Sequence, residues 1–205
     1  MSTLVKMIIF IYLISFMEPM MATRKNYTPE EYKLMGRCVN EIVDQLAEEM
    51  YKNFGLLCSA QGGSRPYDIE SIGVEFTLHQ CVSIEEAREL EVKATERFVE
   101  IVNAHEAVRP YLRDYPWDHK RAKVRLAFYA KDGKYYYDGL SLVLQNHDMI
   151  SYFAPDTYSP NEMHKIKKEP YIEAKEIVDT SPSCLKPFVV PKKRSFFGLF
   201  WPFLP

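Results

Sequence analysis

A chain of 205 residues, 47% apolar and 26% charged, is long enough for one domain with a full core and has ordinary globular composition. Its net charge of −2 gives no global field to draw in nucleic acid, and no basic stripe interleaved with aromatics runs through its middle. Disorder of the whole chain and a nucleic-acid partner are both disfavoured. Aromatic residues reach 14%, with 14 Tyr and 12 Phe, which suits an aromatic-packed sheet.

Residues 1–25 form a separate hydrophobic segment. Lys6 precedes the apolar run Met7–Met17, which is short of the roughly 20 residues needed to span a bilayer but matches the core of a secretion signal. Met20 and Ala22 make a poor cleavage site, and Arg24 and Lys25 place charge on the side that would cross. Initiation at Met20 or Met21 is the competing reading, and an export signal or membrane anchor is narrowly favoured over a cytoplasmic start.

From Thr28 the signals become specific. Thr28-Pro29-Glu30-Glu31 combines an N-cap, a proline in the first turn and a capping-box glutamate. Met35, Cys38, Val39, Ile42, Val43, Leu46, Met50 and Phe54 then recur at helical spacing up to Gly55. Cys58 to Tyr67 reads as a loop on composition. Its Gly62-Gly63-Ser64-Arg65 is no phosphate cradle, because the order helix–loop–strand and the missing lysine do not match one. Ile72, Val74, Phe76 and Leu78 alternate as a half-buried strand. Ser83-Ile-Glu-Glu86 opens a second helix through Ala87, Leu90, Ala94, Phe98, Ile101 and Val102 to about Ala104.

Residues 105–120 read as irregular, with one short helical turn before Pro110. Val124, Leu126 and Phe128 form a second strand. Asp132-Gly133 predicts a hairpin whose returning strand runs from Tyr135 to Leu144. A turn at Asn146-His147-Asp148 leads to a last strand, Met149 to Phe153. Ser159-Pro-Asn-Glu162 predicts a further helix start, interrupted at Pro170 and continued through Tyr171, Ala174 and Ile177. Pro182, Pro187 and Pro191 mark a linker.

The predicted architecture is a two-layer α+β domain over residues 26–180. It has a mostly antiparallel four-stranded sheet with helices on one face, in the order α-β-α-β-β-β followed by short helices. Residues 181–205 form a proline-rich linker and a tail. The tail places Lys192, Lys193 and Arg194 before Phe196, Phe197, Phe200, Trp201 and Phe203. Basic residues for anionic headgroups, followed by rings that favour the headgroup–acyl boundary, are the chemistry of interfacial attachment. Docking on a protein partner and folding back onto the domain are the alternatives.

No residue set specifies a reaction, a cofactor or a metal site. Cys38, Cys58, Cys81 and Cys184 have neither zinc nor CxxC spacing, and a Cys58–Cys81 bridge stays open. His79 and Cys81, even with His147, supply too few ligands for a structural zinc. The densest polar run, residues 109–121, offers two chemistries. His119 is a candidate acid or base oriented by Asp118 or Asp114, and Arg109, Arg113, Lys120 and Arg121 are a candidate anion grip. The competing reading is a connection stapled to the core by Tyr111, Leu112, Tyr115 and Trp117. Tyr136, Lys123 and Arg125 mark a candidate docking surface on the open sheet face. The leading functional expectation is a non-enzymatic binding protein attached to a membrane or partner through its tail. A small enzyme around His119 and a homo-oligomer with exchanged tails are the rivals.

Overall fold

The computed structural model describes residues 26–64, 67–136, 138–156 and 162–190. Helix α1 spans Pro29–Phe54, and its capping box forms as the sequence dictates: Thr28 Oγ1 accepts from the Glu31 amide while the Glu31 carboxylate accepts from the Thr28 amide. Gly55 ends it in the left-handed region at φ 73°. Helix α2, Ile84–Ala104, has the same reciprocal box between Ser83 and Glu86.

The sheet has six strands in sequence order: β1 Leu57–Ser64, β2 Ser71–Leu78, β3 Ala122–Phe128, β4 Leu142–Asn146, β5 Met149–Pro155 and β6 Met163–Pro170. Helix α3, Tyr171–Thr180, follows β6 directly. β2 and β3 are parallel, because α2 and the turn of 3-10 helix at Glu106–Tyr111 carry the chain back to the starting edge of β2. Every other neighbouring pair is antiparallel. Alternation sorts the faces: Ala122, Val124 and Leu126 are buried beside Ile72, Val74 and Phe76, while Lys123 and Arg125 are exposed on the other side. The helices pack on one another and on the apolar face.

The α+β class holds, and three details differ from the sequence expectation. Residues 58–64 are strand rather than loop; β1 is exposed along almost its whole length, so pairing with β2 through the backbone leaves no alternation to read. Residues 163–170 are also strand rather than helix, and the Ser159–Asn161 part of the expected capping box lies outside the described residues. β6 is a lysine-rich edge strand whose side chains carry the polarity that suggested an exposed helix. The Asp132-Gly133 turn forms, but the returning strand begins only at Leu142. Tyr135 instead stacks on Tyr129 at 4.8 Å. The hydrophobic segment 1–25 and the tail 191–205 lie outside the described residues.

Between α2 and β6 the core contains a paired charge. Arg88 donates to Glu169 in bidentate fashion at 2.7 and 3.1 Å, Tyr152 donates to the same carboxylate, and Lys167 lies 2.8 Å from it. The side chains of Arg88 and Glu169 are 8% and 9% exposed, so this is a desolvated pair. Removing one partner strands the other charge. We expect Arg88→Met to lower the free energy of unfolding by about 3–5 kcal/mol. Adding Glu169→Leu should recover a large part of that loss in denaturant titrations; a double variant no more stable than the single one would refute the assignment.

Candidate functional site

The 109–121 connection is held by its own backbone and by Asn103. The Asn103 side chain accepts from the Trp117 amide at 2.7 Å and donates to the Trp117 carbonyl at 2.9 Å, and the indole is buried. Tyr111 and Leu112 are buried too, whereas Tyr115 is 53% exposed and serves as a platform for Arg109, 5.2 Å from its ring centre. The connection is therefore stapled at three of the four expected points.

The structure separates His119 from the carboxylates that sequence placed beside it. Asp118 caps the Lys120 amide, and Asp114 pairs with Arg121. His119 Nε2 instead lies 3.2 Å from Asp148, which arrives from the β4–β5 turn and also pairs with Lys120. The imidazole stacks on Tyr171 with ring centres 4.3 Å apart and 10° between planes. Gln145 fixes both flanking turns by donating to the carbonyls of His119 and His147. Lys120 and His119 together hold the half-exposed Asp148 carboxyl below its ordinary range.

The four cations proposed as an anion grip do not converge. Arg109 donates to the Asn103 carbonyl, Arg113 pairs with Glu70, and Lys120 and Arg121 have the carboxylate partners just named. A cleft of about 350 Å³ lies at the end of β2 and β3, where Glu70, Asp118, Lys120, Arg121, Lys123 and His147 line it with charges of both signs. His79, singled out with Cys81, contacts the Ala130 carbonyl at 3.3 Å. Among the described residues no group of three His, Cys, Asp or Glu is placed to hold a metal ion, and no helix is long and apolar enough to cross a membrane.

Two features gave no sequence signal. The first is a strap, residues 181–190, expected as a linker but laid against the body. Glu89 of α2 accepts from Ser183 Oγ at 2.5 Å, from the Cys184 amide at 2.8 Å and from the Cys184 thiol at 3.0 Å, with Lys93 2.8 Å away. Burial opposes the charge on Glu89, but these donors outweigh it and hold its carboxyl at about 2, while burial and Glu89 push the Cys184 thiol up to about 11. Phe188 then packs edge-on to Tyr51 and fills the space beside Gly55, where an added Cβ would lie 2.6 Å from its ring.

The second is Glu91, wholly buried on α2 between Tyr152 of β5, Tyr171 of α3 and Gln145 of β4. Neither carboxyl oxygen reaches hydrogen-bond geometry with a partner among the described residues, and Thr95 Oγ1 and Gln145 Oε1 are likewise unpartnered. Burial pushes the Glu91 pKa well above the carboxylate range, offset only in part by the Gln145 backbone amide. Burial thus favours the protonated form of Glu91. A residue in an exposed-looking run (Arg88, Glu89, Glu91) could have been suspected only from its position about two turns beyond the cap, within the stripe of Ala87, Leu90 and Ala94.

No protein-family model matches the chain, and no curated protein or solved structure matches it.

The titration of Glu91 has a definite sign. Its folded pKa lies above the unfolded value of about 4.3, so its contribution is complete below that pH and is lost as pH rises toward the folded pKa. Glu49, Glu89 and Glu169 behave oppositely: each is held at about 2, so their contribution is lost as pH falls from about 4.3 toward 2. Glu91→Gln should therefore gain stability over the wild type as pH rises above about 4.3, by up to about 1.4 kcal/mol per pH unit, until the raised folded pKa is passed. Parallel denaturation curves for the two proteins across that range would contradict a neutral buried Glu91.

Proposed function

We propose that this protein is a non-enzymatic docking protein that attaches to an anionic membrane surface through the basic–aromatic segment 192–204. The observation that supports this most directly is the strap. Glu89 and the Tyr51–Gly55 end of α1 hold residues 183–188 against the body, and exposure then rises to 82% at Val189. The chain is thus delivered to Lys192, Lys193 and Arg194 from a fixed point on the domain. Each of these three cations contributes roughly 1 kcal/mol near an anionic surface. Each ring or leucine that follows adds up to about 1.5–3 kcal/mol on burial.

The geometry also favours the tail acting without residues 1–25. Those residues adjoin Asn26, at the start of a 26-residue helix whose other end receives the strap, a separation of about 39 Å at 1.5 Å per residue. A body held at both points would lie with α1 along the surface. The exposed flank of α1 sets Glu30, Glu41, Asp44 and Glu48 against Lys33, Arg37 and Lys52, which leaves it no net attraction for anionic lipid.

The rival enzyme reading draws support from the His119–Asp148 contact. The stacked Tyr171 ring and the bracing by Gln145 suit a clamp between turns better, so His119→Ala is expected to cost stability.

Co-sedimentation of the full chain with vesicles tests the proposal. We expect binding to vesicles containing anionic lipid, weakening with salt, and no binding by a chain ending at Pro191, whose described body is intact. Replacing Lys192, Lys193 and Arg194 together by Ala should lower affinity about 100-fold, from three charges at roughly 1 kcal/mol each. Equal partition of full and shortened chains would refute the membrane reading.

A further inference from the structure

The two edges of the sheet are built differently. β6 carries His164, Lys165, Lys167, Lys168 and Pro170, the means by which an edge strand repels another strand. β1 has no charged residue and no proline from Leu57 to Ser64, and among the described residues no strand pairs on its outer side. It is exposed throughout except at Ser64. A bulge at Cys58–Ala60 takes Ser59 out of the ladder, and its hydroxyl donates to the Glu75 carbonyl. The run from Ala60 to Ser64 beyond the bulge is regularly paired with β2 and, among the described residues, has no strand on its other side, where the Gln61 side chain donates to Asn40 of α1 at 3.3 Å.

Beside that run lies a cleft of about 400 Å³ between β1 and α1, with Gly36, Val39 and Asn40 as its helical wall. It exists because Gly62 and Gly63 bring no side chains to fill it. Gly63 has to be glycine, since a Cβ there would lie 2.5 Å from the Ser71 carbonyl. Gly62 does not: a Cβ at that position meets nothing within 4 Å. Ser71, which lines the same cleft and is 6% exposed, has a hydroxyl with no partner among the described residues.

We infer that β1 pairs antiparallel with β1 of a second copy of this chain about a two-fold axis through Gly62, joining two six-stranded sheets into one. A two-fold contact requires a surface to match itself. Ala60–Ser64 meets that requirement: Gly62 faces its own copy without a Cβ on either side, Gln61 faces Gly63, and Ala60 faces Ser64. No like charges are opposed, whereas β6 paired with itself would oppose lysines. The neighbouring flank of α1 is also uncharged at Gly36, Val39 and Asn40, and the cleft receives the partner's Gln61. This inference does not depend on the membrane reading.

The test is sedimentation velocity of the full-length chain without lipid, over a range of concentrations. The wild type should sediment as a dimer, and Gly62→Lys, which puts two ammonium groups together at the axis, should sediment as a monomer at the same concentration. Gly62→Cys should give a disulfide-linked dimer on mild oxidation, because paired residues on antiparallel strands lie within the Cα separation that a disulfide spans. The wild type, with exposed Cys58, Cys81 and Cys184, should not. A monomeric wild type overturns the inference, even one that captures an extended foreign peptide on β1. So does a dimer that survives Gly62→Lys, or a Gly62→Cys chain that cross-links no more than the wild type.

Discussion

Helix α2 carries three buried acidic or basic side chains within one turn of each other, and each sets a different part of the molecule. Arg88 reaches Glu169 and fixes the last strand of the sheet. Glu89 collects the donors of the strap. Glu91 is enclosed beneath β4, β5 and α3, with no partner in hydrogen-bond geometry for its oxygens among the described residues. Burying charge is costly unless it is paired, and here two of the three are paired to segments roughly 80 and 95 residues away in the chain. A helix that makes such contacts cannot rotate or slide without stranding a charge. The register of α2 against the sheet is thus fixed by electrostatics as well as by packing of Leu90, Ala94 and Phe98.

The same helix explains the topology. As the crossover between β2 and β3, it produces the parallel pair at the middle of an otherwise antiparallel sheet. It also covers the apolar face of β3 and receives α1 and α3 on its flanks. The outer surface is left with Lys123 and Arg125, and the polar connection 109–121 closes one end of the sheet. Most charges there find partners within the connection or on its neighbours. Its density of functional residue types therefore reflects the bracing of a long loop as much as any chemistry.

Elements with strong local codes were legible in the sequence. Thr28–Glu31 and Ser83–Glu86 announced both long helices to within a residue, alternation announced β2 and β3 because each has one buried face, and the turn at Asn146–Asp148 announced β5. β1 and β6 were not legible for the opposite reason: edge strands held by backbone bonds need no apolar period. The partner of His119 was missed because Asp148 is 29 residues away and arrives on a turn, while Asp118 is adjacent in sequence but aimed at a backbone amide. The strap was missed because prolines spaced through residues 182–191 describe a linker equally well whether it is free or docked. Only the carboxylate of Glu89, distant in sequence, distinguishes the two.

Helix α2 holds the strap in place through Glu89 and so positions whatever follows it. Hydrogen–deuterium exchange in the full-length chain measures this directly at the Cys184 amide, which donates to Glu89 at 2.8 Å. Slow exchange is expected at Cys184 in the wild type and fast exchange in Glu89→Ala, with the amides of α1 protected in both. Exchange at the rate of an unstructured peptide in the wild type would contradict it.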